Sequence, residues 1–440
     1  MRVLQVNTRD VGGGAERIAH YLFNGIRQMG HPCNLAVGSK LSQDPDILEI
    51  PDPAWWKPQS RNAGKLHATL PNRGSRVLRR LAHSVKPRTC WDYLNGREDF
   101  NFAGTWDLLS LPRHVPDILH AHNLHGGYFD LRALPMLSQQ IPLVVTLHDA
   151  WLLSGHCAHS LSCERWLTGC GGCPDLSIYP AVRRDATAFN WQRKREIYAA
   201  SKLYVATPCQ WLMNRVQRSM LQHAVAEARV IPNGIDVSVF RPADKRAARH
   251  TLGLPQDAWV SLFVGSGVRK NPWKDYATME AAIRRVANHR VEQNQLFLCL
   301  GEKGEDQHIG SATIRFVKYE RDATLVARFY QAANVYLHAA RADTFPNVIL
   351  EALACGTPVI ATDVGGISEQ IDDGVTGFLV PAADSAAMAE RFQQLNSNTD
   401  VQRRMCAEAS TVAQCRFSAE RMVSDYVDWY QKILEGLEGL

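Results

Sequence analysis

Two carboxylates, Asp343 and Glu351, bracket the short run TFPNVIL in the stretch DTFPNVILEALACGTP. Their chemistry depends on a helix starting between them, with Pro346 in its first turn and Gly356 at its end. Asp343 would then lie just before the helix and Glu351 one turn inside it. The N–H groups of Thr344, Phe345, Asn347 and Val348 would point at one spot, a natural place for an anion. The same residues also suit a plainer arrangement, with Asp343 capping the helix and Glu351 solvated on its face.

Other residues carry chemistry of their own. Gly12-Gly13-Gly14 stands between an apolar run and a helical pattern, where bare backbone can approach a phosphate or simply make a tight turn. Arg269 and Lys274 follow a glycine-rich turn in GSGVRKNPWK, as two cations able to balance a bound anion, or as ordinary surface cations. His148-Asp149 follows the apolar LVVTL, at the carboxyl end of a strand where α/β sheets bind ligands. His120, His122 and His125 straddle another strand end without the acids a metal cluster would need. Cys157, Cys163, Cys170 and Cys173 fall within GHCAHSLSCERWLTGCGGCP and end in a C-x-x-C knuckle. They suit a structural zinc with His156 or His159 as a substitute, a redox pair at Cys170/Cys173, or plain reduced thiols.

The elements that must position these groups alternate strand and helix. Val3 to Asn7 reads as a strand, and Ile18, Leu22, Ile26 and Met29 give helical spacing up to Gly30. Further strands are expected at Asn34 to Val37, Asp117 to His122, Leu143 to Leu147 and Leu203 to Ala206. A second series follows at Trp259 to Val264, Leu296 to Leu300, Ile314 to Val317, Asn334 to Ala339, Pro358 to Thr362 and Gly377 to Val380. A final helix from about Ser418 to Leu437 carries a stripe of Met422, Tyr426, Trp429 and Ile433. This is the pattern of two doubly wound α/β domains.

A chain of 440 residues is too long for one core, and 45% hydrophobic with 21% charged residues reads as soluble and globular. A net charge of +5 does not call for nucleic acid. No run of about 18 apolar residues suggests a membrane span. The strand at Val3 leaves no room for an export signal, so the eleven cysteines are expected as reduced thiols in the cytoplasm. Residues 41–116 are irregular, with nine Lys/Arg and no acid from Pro53 to Trp91. Within them, Arg73 to Arg88 has a basic amphipathic pattern that suits either an anionic bilayer or packing on the first domain. Asp44-Pro45-Asp46 is formally a D-x-D, but it lies in a proline-rich loop and is expected to hold no catalytic metal.

The acid, seven residues, then Glu-Ala-Leu-Ala-Cys-Gly-Thr-Pro-Val-Ile-Ala-Thr resembles the E-x(7)-E signature of family 4 retaining glycosyltransferases, nucleotide-sugar enzymes of the two-domain GT-B fold. Gly365-Gly366 and Glu369 match as well, and Val230 to Asp236 (VIPNGID) resembles the family's hinge, with a turn at Asn233-Gly234. This chain has Asp343 for the first Glu, one methylene shorter, and Thr344-Phe345-Pro346 for the usual Gly-Phe-Gly. The Cys-rich insert resembles that of some bacterial exopolysaccharide glycosyltransferases.

The resemblance implies an N-terminal acceptor-side domain over 1–236 (with the 41–116 insert and the 155–175 Cys-rich loop), a nucleotide-sugar-binding domain over 237–415, and a helix at 416–440 crossing back to the first domain. Facing each other across a central cleft, the domains would move a sugar from a nucleotide-diphosphate donor to a saccharide or lipid-linked acceptor in surface polysaccharide synthesis. Glu351, Asp343 and His148 would serve catalysis. Gly13, Gly14, Arg269, Lys274 and the Thr344, Phe345, Asn347 and Val348 amides would hold the donor. No cofactor is implied for catalysis, and the setting is cytoplasmic, at the inner face of the membrane if the basic segment binds it. Two other readings share the architecture: a nucleotide-sugar epimerase, and a non-catalytic sugar-nucleotide-binding subunit.

Overall fold

The computed structural model describes residues 1–51, 87–288 and 294–438. Compactness divides the chain into two units, one of Met1–Thr207, Leu212–Val230 and Tyr426–Leu440, the other of Pro208–Trp211 and Ile231–Asp425.

Unit 1 is built on a seven-stranded parallel sheet: β1 (Val3–Arg9), β2 (Cys33–Ser39), β3 (Ile47–Glu49), β4 (Ile118–His122), β5 (Leu143–Thr146), β6 (Leu203–Thr207) and β7 (Val225–Val230), ordered β3-β2-β1-β4-β5-β6-β7. The central strands are buried on both faces, with Gln5, Asn7, His120 and His122 as polar members among the apolar ones. The helix Gly14–Gln28 shows why: Ile18, Leu22, Phe23 and Ile26 recur at helical spacing and are all buried. The order reverses between β1 and β4, the switch point where such sheets open a ligand crevice at their carboxyl ends.

The last stretch of the chain completes this unit. The Tyr430 hydroxyl lies 2.6 Å from His120 Nδ1, the Tyr426 and Thr146 hydroxyls are 2.8 Å apart, and the Trp429 indole donates to Glu227 at 2.9 Å. His120 Nε2 meets Thr146 Oγ1 at 2.7 Å, so buried polar groups of β4 and β5 are satisfied by this helix and by each other. The expected stripe is buried throughout, at Met422, Tyr426, Trp429 and Ile433.

Unit 2 repeats the plan: β8 (Trp259–Val264), β9 (Gln295–Leu300), β10 (Gln307–Ile309), β11 (Ala312–Val317), β12 (Val335–His338), β13 (Val359–Thr362) and β14 (Gly377–Val380), ordered β10-β11-β9-β8-β12-β13-β14. All pairings are parallel except β10 with β11. Its core gathers Phe263, Ile283, Phe297, Val335, Ile360 and Phe392, and the switch point lies between β8 and β12.

The Asn233-Gly234 pair makes no turn, contrary to expectation. It runs extended beside Ser418–Ala419, with Ile235 N–H donating to Phe417 O and Ala419 N–H to Ile235 O. A Cβ on Gly234 would stand 2.6 Å from Ala419 Cα, so close backbone approach demands the glycine. Asp44 and Asp46 both pair with Arg27, at 3.3 and 2.9 Å. The basic stretch expected between Arg73 and Arg88 lies outside the described residues, apart from the backbone of Pro87 and Arg88, which opens the helix Pro87–Leu94. Among the described residues no helix is long and apolar enough to cross a membrane.

Candidate active site

In unit 2, β12 ends at His338, and the chain loops through Asp343 before entering the helix Asn347–Ala354. Pro346 occupies the position before that helix and supplies no capping hydrogen bond. The segment after β8 runs alongside: Arg341 N–H donates to Trp273 O, Asp275 N–H to Ala339 O, and Lys274 bridges Ala340. That lacing delivers the Lys274 ammonium to the Asp343 carboxylate at 2.9 Å. His338 Nε2 lies 3.5 Å from the same oxygen and 3.4 Å from the ammonium, while the Tyr336 hydroxyl, 3.0 Å from Nδ1, fixes its ring.

Burial disfavours the charge on Asp343, but Lys274 and His338 outweigh it and hold the carboxyl well below the usual carboxylate range. Burial and the adjacent ammonium push His338 down to about 4, so the imidazole is neutral near pH 7. The backbone here admits no alternative to glycine. Gly365 has φ +63°, and a Cβ on it would fall 1.7 Å from Asp343 O. Gly366 N–H donates to Thr344 O at 3.0 Å. The Thr344 hydroxyl is buried with no hydrogen-bond partner among the described residues.

Asn347 and Val348 open the helix as expected, and Asn233 Nδ2 donates to Asn347 Oδ1 at 3.1 Å. Phe345 is buried, its ring 6.0 Å from Phe417. Glu351 is not on a solvated face: it is 1% exposed and accepts the Tyr330 hydroxyl at 2.8 Å. Arg269 is engaged by other partners. It pairs with Glu302 at 3.2 Å, donates to Lys303 O at 2.8 Å and covers Phe316.

In unit 1, Gly13 stands just before the first helix and Gly14 opens it, both exposed. Gly13 has φ −78°, and a Cβ on it would meet only the flexible Glu16 arm at 3.2 Å. The fold itself therefore does not demand glycine there. His148, just beyond β5, places Nε2 3.1 Å from His122 Nδ1, and burial pushes it down to about 4. Beside it His125 Nε2 and Asp149 are 2.8 Å apart, with the Tyr179 hydroxyl 3.4 Å from His125 Nδ1. Burial opposes charge on both members of this pair, yet their attraction wins, raising His125 and lowering Asp149. Lys194 anchors the segment that follows. It is fully buried, pairs with Glu98 at 2.9 Å and donates to Trp151 O and Ser154 O at 3.0 Å.

Cys157, Cys163, Cys170 and Cys173 are half-buried thiols lining one small cavity. The role of His338 and the His125–Asp149 pair escaped the sequence reading. A histidine inside the otherwise apolar VYLHAA, five residues before the acid, was the signal for the first; an acid adjoining His148 was the signal for the second.

The chain matches known proteins at both ends of this description. Residues 12–239 match the model described as Glycosyltransferase Family 4, and residues 259–398 that described as Glycosyl transferases group 1. The chain is 26% identical over 342 residues to the glycosyl transferase WcaC of Escherichia coli (strain K12), named for colanic acid biosynthesis, with 72% of this chain and 77% of that one covered. It is 34% identical over 224 residues to D-inositol 3-phosphate glycosyltransferase 2 of Catenulispora acidiphila, spanning about half of that relative's length (51%) and 47% of its own. Among solved structures, sucrose-phosphate synthase from Thermosynechococcus elongatus superposes with a TM-score of 0.65 at 18% identity, covering 99% of both chains. Anabaena Alr3699/HepE in complex with UDP-glucose gives 0.60 at 17%, covering 100% of both. These likenesses establish the two-domain GT-B fold, and the first family model alone takes in more than half of the 440 residues: the chain belongs to Glycosyltransferase Family 4.

Proposed function

We propose that the protein is a retaining hexosyltransferase, moving a sugar from a nucleotide-diphosphate donor to a hydroxyl of a saccharide or lipid-linked saccharide during bacterial surface polysaccharide synthesis. The observation that carries this reading is the Lys274–Asp343–His338 cluster at the carboxyl end of β12, beside the Thr344 hydroxyl, which has no hydrogen-bond partner among the described residues. It joins a fixed cation, a carboxylate held ionised and a neutral imidazole at the switch point of a doubly wound sheet.

Lys274 balances the negative charge that grows on the departing diphosphate, which a preorganised ammonium does without reorganising solvent. The amides of Thr344, Phe345, Asn347 and Val348 take the phosphate, and Asp343 takes a hydroxyl of the transferred sugar. Glu351, with one oxygen fixed by Tyr330, takes the ribose. Arg269 reaches the diphosphate only by leaving Glu302 and Lys303, so it is the weaker of the two cations. In unit 1 the same reading gives Gly13 and Gly14 to the diphosphate and His148 to the sugar. The acceptor oxygen attacks on the face that the leaving group departs from, and a phosphate oxygen of that group takes the acceptor's proton. The new bond keeps the donor's anomeric configuration, and charge is balanced by Lys274 rather than by a metal.

Two names support the class of substrate: WcaC for colanic acid biosynthesis, and HepE solved with UDP-glucose. The proposed setting is the cytoplasm, with the acceptor at the inner face of the membrane. Thermal melts against UDP, GDP, ADP and dTDP test the donor. A nucleotide at ~100 times its Kd adds about 2.7 kcal/mol, a rise of roughly 2–4 °C for domains of this size. The nucleotide that shifts the melt is then supplied as its sugar with a saccharide acceptor, and NMR reads the product's anomeric configuration. An inverted product, donor conversion without acceptor, or no shift with any nucleotide overturns the proposal.

A further inference from the structure

One cluster of reactive side chains lies outside the residues assigned above to the donor. The cavity of about 20 Å³ in the loop between Leu153 and Thr187 is lined by Cys157, Cys163, Cys170 and Cys173 together with His156 and Trp166. His156 Nδ1 lies 3.1 Å from Pro180 O, a carbonyl that can only accept, so this nitrogen carries the proton. In the neutral ring Nε2 is then a bare lone pair, and it faces Cys173 Sγ at 3.4 Å. Two ligands of one tetrahedral zinc, with bonds of about 2.0 and 2.3 Å, stand about 3.5 Å apart. A backbone carbonyl on the far nitrogen is also the usual way a metal-bound imidazole is held.

The knuckle is shaped at a cost. Gly169, Cys170, Gly171 and Gly172 run consecutively at positive φ, Cys170 at 56°. For a non-glycine residue that conformation is disfavoured, because Cβ crowds the following carbonyl. Side chains and amides hold it there: Cys173 N–H donates to Asp185 at 2.8 Å, Gly171 N–H to Thr187 Oγ1 at 2.9 Å, and Gly155 N–H to Cys170 Sγ at 3.3 Å. The Trp166 indole N–H, buried, has no acceptor among the described residues.

We propose that this loop binds one structural zinc ion, with Cys170 and Cys173 as two ligands and two more from Cys157, Cys163 and His156. Among the described residues no three His, Cys, Asp or Glu side chains already close on a common point, so binding draws the thiols inward by side-chain rotation about the cavity they line. With four protein ligands no position stays open, and the ion shapes the loop without entering catalysis. What it shapes is Tyr179–Pro180, tied to His156 through Pro180 O and reaching His125 through the Tyr179 hydroxyl.

Elemental analysis of the full chain, purified without added metal, is expected to find about one zinc per chain. Cys170→Ser and Cys173→Ser should each abolish most of it, whereas Cys415→Ser, at an exposed thiol outside the loop, should not. Cobalt loaded in place of zinc should give a sulfur-to-metal charge-transfer band that both loop variants lose. Should the serine variants fail to fold, alkylation of the native wild type answers the same question: Cys170 and Cys173 should react far more slowly than Cys415 until a chelator is added. Wild type without zinc, iron in its place, or both knuckle thiols alkylated as fast as Cys415 would overturn the proposal.

Discussion

At the scale of single residues, three charged or polar groups in the β12 loop hold one another in place. Removing any one exposes the others. Lys274→Met leaves the Asp343 carboxylate, only 23% exposed, without its cation. The expected cost is about 1–3 kcal/mol in urea denaturation at pH 7, because a polar group left unsatisfied forfeits its desolvation. The sign follows from the depressed carboxyl: the pair's contribution is fully present above the unfolded value of about 3.9 and is lost as pH falls below it. A Lys274→Met protein as stable as wild type at pH 7 would show the pair to be idle. Glu351→Gln keeps the shape and removes the charge. It should lower kcat/KM by about 10²–10³, the typical loss for one preorganised electrostatic group, with the melting point little changed. Asp343→Asn should lose less, since its reach is already a methylene short. Wild-type turnover in Glu351→Gln would remove that residue from the donor site.

At the scale of elements, the strands that carry the site were legible because they are buried on both faces. Trp259–Val264 and Gly377–Val380 run as the sequence reading placed them, and β1, β4 and β5 differ by a residue or two at their ends. Strand β7 was not legible: in VAEARV, Glu227 and Arg229 interrupt the apolar run, and it sits at the sheet's edge. The terminal stripe read as core packing, and its apolar part is that. The hydroxyls there do more, since Tyr430, outside the expected stripe, satisfies His120 and Tyr426 satisfies Thr146. Periodicity locates a buried face but says nothing about which polar group opposite needs a partner. Tyr430→Phe should therefore destabilise unit 1 by about 1–3 kcal/mol with little loss of apolar contact. Equal chemical denaturation midpoints for Tyr430→Phe and wild type would contradict this.

At the scale of the whole molecule, buried histidines set a pH dependence. Burial pushes His120 down to about 3 and His338, with the Lys274 charge helping, down to about 4. Unfolded, both titrate near 6.5. Between about pH 6.5 and 4 the unfolded chain takes up protons that the folded one refuses, so stability falls with falling pH, by about 2 kcal/mol for each group at pH 5. His125, raised by Asp149, works the other way: its contribution is present below about 6.5 and lost as pH rises through its folded value. The lowered groups, His148 among them, outweigh the raised one, and melts at pH 7.5 and 5 should show a lower Tm at the acid end. A Tm that is flat or rising toward pH 5 would mean these rings take up protons within the fold.

The return of Tyr426–Leu440 to unit 1 bears on how the chain is made. On the ribosome most domains fold as they emerge, from the amino end. Unit 1 does not have that option in full, because His120, Thr146 and Glu227 wait for Tyr430, Tyr426 and Trp429. At ~5–20 residues per second, the interval between Val230 and Tyr430 is roughly 10–40 s. Through it these three side chains stand without their later partners while Ile231–Asp425 of unit 2 is being synthesised. A nascent chain of this design is a natural client for a chaperone that binds apolar surface, and a ribosome stalled before Tyr426 releases a fragment with a finished second unit and an unfinished first.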